Sequence, residues 1–155
     1  MSTSHARGLR AATVAVAAGA IFAGSAAAGS GSTVTLKATL SGRYLHTSSP
    51  GSGTVKVTIG PTQLCWNFTF SGTDAPNISG IHVAPPPPAG YHKLSVLPFT
   101  ATTKSGKQEC ERLDRWSASG PTWAKKIAAT PSKFYVIIGT DRYPNGAIGG
   151  ALHHA

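Results

Sequence analysis

The chain is poor in cysteine, poor in acid, and has no apolar run long enough to cross a bilayer. Its 155 residues hold two cysteines, Cys65 and Cys110, with no Cys-x-x-Cys pair and no paired Cys/His spacing. That argues against a structural zinc site. Only five acids occur: Asp74, Glu109, Glu111, Asp114 and Asp141. A hydrolytic carboxylate pair needs two acids held about 5–9 Å apart, and none of these is obviously so placed. There is no Gly-x-Ser-x-Gly elbow for a serine nucleophile, and no Gly-rich loop leads into a helix to cradle phosphate. The longest apolar stretch, Ala11 to Gly24, is about 14 residues against the ~20 a membrane helix requires. Neither an Arg-Arg pair nor a cysteine lies near its end, which argues against the twin-arginine route and lipid anchoring.

What that stretch does resemble is a secretory leader. Arg7 and Arg10 precede it, and Ala26-Ala27-Ala28 follows with the small-residue pattern read by signal peptidase. Residues 1–28 are therefore read as a signal peptide, with an uncleaved anchor as the disfavoured alternative. Residues 29–32 read as a Gly/Ser tether, and 33–155 as one domain. Removal of the leader leaves twelve Lys and Arg against five acids, a net charge of +7. The bases are scattered, and no recognition helix is evident, so nucleic acid is not an expected partner. The scattered bases read first as a soluble basic surface, with attraction to anionic cell-envelope polymers or lipid head groups, or to another extracellular ligand, as the functional alternative. In an exported chain, two cysteines read as one disulfide, Cys65–Cys110.

The body of the chain is written in period two. Val34, Leu36, Ala38 and Leu40 alternate with Thr35, Lys37 and Thr39; Val55, Val57 and Ile59 alternate with Lys56 and Thr58. Leu64, Trp66, Phe68 and Phe70 continue the pattern after the Gly60-Pro61-Thr62 turn, predicting a hairpin with an aromatic core face. Strands are also expected at 78–83 and 94–99, the latter at an edge because of Pro98. The segment 100–111 reads as a polar loop in which Glu109 and Glu111 are solvated, and 113–116 as a short extension. Gly120-Pro121 starts a short helix ending before Pro131. Phe134 to Thr140, a turn opened by Asp141, and Ala147 to Leu152 form a closing hairpin. Asp141 is expected to cap backbone N–H groups there. The expected fold is all-β: an immunoglobulin-like or superoxide-dismutase-like antiparallel β-sandwich with one short helix.

Several features arrive in one order: Gln63-Leu64-Cys65-Trp66, then Ile81-His82-Val83, then Cys110, then Phe134-Tyr135-Val136, and last Tyr143-Pro144-Asn145-Gly146-Ala147-Ile148-Gly149-Gly150. The series resembles the CHRD domain, named after chordin, from Val34 to Leu152. The resemblance implies a β-sandwich used outside the cell and no established catalysis. It also exposes departures. Family members carry His-Ile-His where Gly80-Ile81-His82 stands, Val-His-Thr in place of Ile138-Gly139-Thr140, Arg-Gly in place of Gly149-Gly150, and a Gly-rich loop in place of Pro85 to Pro88. Two imidazoles at i and i+2 with a third on another strand could hold a transition metal. Here only His82 remains.

The expected function is thus an exported, non-enzymatic binding or adhesion module without a cofactor or metal, with an unidentified ligand. Its expected contact residues are His82, Tyr91 and His92, around the proline run. A metal-binding or dismutase-like protein is the alternative, disfavoured because Gly80 and Gly139 replace histidine.

Overall fold

The structure is a computed structural model that describes residues 31–85, 95–99 and 104–155. Residues 1–28, expected to be a leader, and Pro86 to Pro88, Tyr91 and His92 lie outside the described residues. Among the described residues nine strands form: β1 (Val34–Ser41), β2 (Ser52–Ile59), β3 (Gln63–Ser71), β4 (Pro76–Val83), β5 (Leu97–Pro98), β6 (Gln108–Arg112), β7 (Phe134–Thr140), β8 (Ile148–Ala151) and β9 (His153–His154). An α-helix, α1 (Gly120–Ala129), precedes β7.

The protein is all-β, and every strand pair is antiparallel. The hydrogen-bonded order is β5-β4-β7-β8-β1-β2-β3-β6, with β9 beside β1. The sandwich is therefore one curled sheet whose two halves share a core, joined where β8 passes β1 at Ser41 and Gly149. The Gly149-Gly150 pair permits that passage. A Cβ at position 150 would lie 1.9 Å from the Thr39 carbonyl oxygen, so only glycine fits.

Alternation puts the expected side chains inside. Leu36, Leu40, Val57, Leu64, Trp66 and Phe68 pack with Ile81, Val136, Ile138 and Ile148 from the other half. Trp66 stacks on Phe99, with centroids 4.3 Å apart and planes 9° from parallel. Each such large side chain contributes about 2 kcal/mol on full burial. Helix α1 buries Ala124 and Ile127 over the end of this core, with Trp123 partly buried beside Phe134.

Four local expectations are corrected. Residues 108–111, expected as the end of a loop, belong to edge strand β6, paired with β3 so that Cys65 faces Cys110. It lacks the apolar alternation that marks a half-buried strand; charged residues on an edge instead discourage pairing with other chains. The expected strand at 94–99 is reduced, among its described residues, to Leu97–Pro98, at the opposite edge, where the missing proline N–H is tolerated. Residues 113–116 form a 3-10 turn rather than an extension. The Leu113 N–H donates to the Thr62 carbonyl, and Trp116 Nε1 donates to the Pro98 carbonyl at 2.7 Å. In the closing turn, it is Thr140 whose hydroxyl accepts the Tyr143 N–H. Asp141 accepts instead from the Asn77 amide, where Asn77 bulges out of the β4–β7 pairing.

Candidate functional site

Strand register places the three positions at which the resemblance leads histidine to be expected. Residues 80 and 82 share one face of β4; Gly80 is opposite Ile137, His82 is opposite Tyr135, and Gly139 is opposite Ile78. Positions 80, 82 and 139 therefore lie on the same outward face of the β4–β7 pair, with 139 diagonal to 80. Diagonal neighbours are about 7–8 Å apart, within bridging reach of two imidazoles. In this chain the face is covered. A 3-10 turn, Arg43–Leu45, lays Leu45 against Tyr135 and Ile137, with Tyr44 and Ala84 packed beside them. His82 is 5% exposed, and its ring lies 5.3 Å from that of Tyr135. Burial raises the Tyr44 hydroxyl above its ordinary pKa. It raises that of Tyr135 too, to which the charge of an ionised Tyr44 adds.

The two glycines differ in how they close. A Cβ at Gly139 would make ordinary contacts, all at 3.4 Å. At Gly80 it would meet the Leu97 carbonyl oxygen at 2.9 Å, Ser95 Cβ at 3.0 Å and Pro98 Cα at 3.1 Å. Segment 95–98 occupies the space an imidazole stem would need. No cluster of three metal-ligating side chains occurs among the described residues.

The remaining predicted residues are placed as follows. Cys65 and Cys110 are brought to a sulfur–sulfur distance of 2.13 Å, forming the disulfide. Glu109 and Glu111, expected to be solvated, lie opposite Trp66 and Leu64. Their side chains are only 12% and 10% exposed. Each is paired with a base, Glu109 with Lys107 at 3.5 Å and Glu111 with Arg115 at 3.4 Å. Asp114 is gripped by Arg112, whose hydrogen bonds hold its carboxyl below the usual carboxylate range. Most of the chain's few acids are thus engaged away from the open face of the sheet.

On that open face, register lines up a transverse row that sequence reasoning did not assemble. His153 is opposite Lys37, Lys37 opposite Lys56, Lys56 opposite Asn67, and Asn67 opposite Gln108. The row crosses five strands, and four strand spacings make it about 19 Å long. Two positions along the strands runs a parallel row, Thr39, Thr54 and Thr69. A trough of about 410 Å³ lies over it, walled by the Lys37-to-Gln108 row. Lys37, Lys56, Gln108, His153 and all three threonines are exposed. The signal was present as outward lysine and threonine in the alternating strands; only register shows that they align.

A second groove, about 440 Å³, lies between α1 and the ends of β1 and β2. It is lined by Val34, Ile59, Pro61 and Leu113 among others, with Lys125 as its charged side chain. It has few groups that would orient a ligand. No helix among the described residues is long and apolar enough to cross a membrane.

The CHRD domain family model matches residues 36–152. The chain belongs to the CHRD family. Neither a curated protein nor a solved structure matches it significantly. The match runs from the core of β1 to Leu152, so in this CHRD domain the covered His82 face, the disulfide and the whole trough except His153 fall inside the family's own boundaries.

Proposed function

We propose that this CHRD domain is an exported, non-catalytic binding module that holds anionic polymers outside the cell or in its envelope. The observation that carries the proposal is the adjacent Lys37–Lys56 pair on the open sheet face. Like charges directly opposite across two strands destabilise a sheet, and nothing in the hydrophobic pattern requires lysine at either position. An anionic ligand turns that repulsion into attraction. Export is supported by the leader at residues 1–28, the disulfide and the family's extracellular use. The absence of cofactor chemistry is part of the proposal; its support is the backbone that fills the space beside Gly80.

The test is retention. Envelope fractions incubated with the exported chain are sedimented at low and high ionic strength. The domain should pellet at low salt and be released as added salt screens exposed charges beyond about 8–10 Å. A chain that stays in the supernatant at low salt contradicts the proposal.

A further inference from the structure

The trough has a composition as well as a charge, and the two together narrow the ligand. Its wall carries Lys37 and Lys56, which only donate hydrogen bonds, and Asn67 and Gln108, which both donate and accept. Its floor is a line of three hydroxyls, Thr39, Thr54 and Thr69, each of which also donates and accepts. No acid and no Phe, Tyr or Trp ring lines it, and the imidazole of His153 stands at the end of the wall. Adjacent strands set successive groups of each row about 4.8 Å apart, close to the length of a single sugar unit, and the two rows lie about 6.6 Å from one another. Charges on one side and neutral hydroxyls on the other form a site for a chain whose two edges differ in the same way.

We propose that the trough over Thr39, Thr54 and Thr69 binds one strand of an acidic polysaccharide across the β-strands. Lys37 and Lys56 pair with its carboxylates or phosphates. The threonines and Asn67 hydrogen-bond its hydroxyls. This rests on the anion-binding reading above and goes further by naming the site and the ligand class. Charge alone would accept any polyanion; the hydroxyl floor favours a hydroxylated one. Without a Trp, Tyr or Phe platform to stack a sugar face, a neutral glycan gains little. The ligand's anionic groups must be near the lysines for the floor to be reached, so the two contributions depend on one another.

The test uses three probes: alginate, which carries carboxylates and hydroxyls; polyacrylate, which carries carboxylates alone; and dextran, which is neutral. Binding to the exported, oxidised chain is measured by calorimetry at fixed ionic strength. Alginate should bind more tightly than polyacrylate per carboxylate, and dextran should not bind. Lys37→Gln with Lys56→Gln should weaken alginate at least tenfold. Lys125→Gln with Arg142→Gln removes the same charge outside the trough and should leave alginate within about twofold. Thr39→Val with Thr54→Val and Thr69→Val keeps β-branched, exposed side chains. It should bring alginate down to the polyacrylate level without altering polyacrylate. If the valine variant binds alginate as the parent does, the hydroxyl contacts are refuted. If the two charge variants lose equally, the attraction is diffuse and the trough is not the site, while envelope retention still stands. If the parent binds neither polyanion and is not retained by envelopes, the underlying reading falls as well.

Discussion

Replacing Gly80 and Gly139 separately by alanine tests whether the face that carries His82 is closed in this chain. Both glycines sit in strands, and both exchanges gain about 0.4–1 kcal/mol by restricting the unfolded chain. The folded states respond differently. At 139 the new methyl meets Ile78 Cβ and two backbone oxygens, of Tyr143 and Pro144, all at 3.4 Å, which is ordinary contact. At 80 it meets the Leu97 carbonyl oxygen at 2.9 Å, with Ser95 and Pro98 close behind. Backbone cannot step aside as a side-chain tip can, and overpacking of this kind costs about 1–3 kcal/mol. Gly139→Ala should therefore be neutral to slightly stabilising, and Gly80→Ala destabilising by about 1–2 kcal/mol. For a domain of this size the midpoints should differ by roughly 8 °C. Thermal unfolding followed by circular dichroism reads the difference directly. Equal midpoints, or a greater loss at 139, would refute the argument that segment 95–98 blocks position 80.

The disulfide closes a loop of 45 residues in sequence separation. Reduction, or Cys65→Ala with Cys110→Ala, should remove up to about 4 kcal/mol by the chain-entropy relation, measured as a fall in urea midpoint; an unchanged midpoint contradicts it. Trp66 is 1% exposed and stacked on Phe99, so Trp66→Ala should cost about 3–5 kcal/mol; a loss under 1 kcal/mol in the same urea titration would mean it is not central to the core. Because burial raises the folded-state pKa of Tyr44 and Tyr135 above the ordinary value of 10, the unfolded chain ionises first. Their contribution is fully present below about pH 10 and declines as pH rises through the folded values. Tyr44→Phe should flatten that alkaline decline in thermal midpoint; a steeper decline would reverse the sign.

The legible part of the fold was the part written in alternation. Strands β1 to β3 were visible because Leu36, Val57 and Trp66 recur every second residue beside lysine and threonine. The closing hairpin showed through its apolar run and its Pro-Asn-Gly turn. Strand β6 was hidden because Gln108 to Arg112 carries no apolar residue except Cys110, and its inward Glu109 and Glu111 reverse the usual pattern at an edge. His82 was legible as a strand-end residue, but the side chains that cover it were not. Its environment is made by Tyr135 in the paired strand and by the Tyr44–Leu45 turn packed over that strand, far away in sequence. The trough posed the same difficulty: Lys37 and Lys56 were read as outward, but their alignment with His153, Asn67 and Gln108 depends on the register of five strands.

The central claim is that the open sheet face, not the His82 face, receives the ligand. Titrating the isotope-labelled chain with alginate oligomers and following backbone amide shifts tests it most directly. The account predicts the largest changes at Lys37, Thr39, Thr54, Lys56, Asn67 and Thr69. Changes concentrated instead at His82, Tyr135 and Tyr44, with the trough silent, would contradict it.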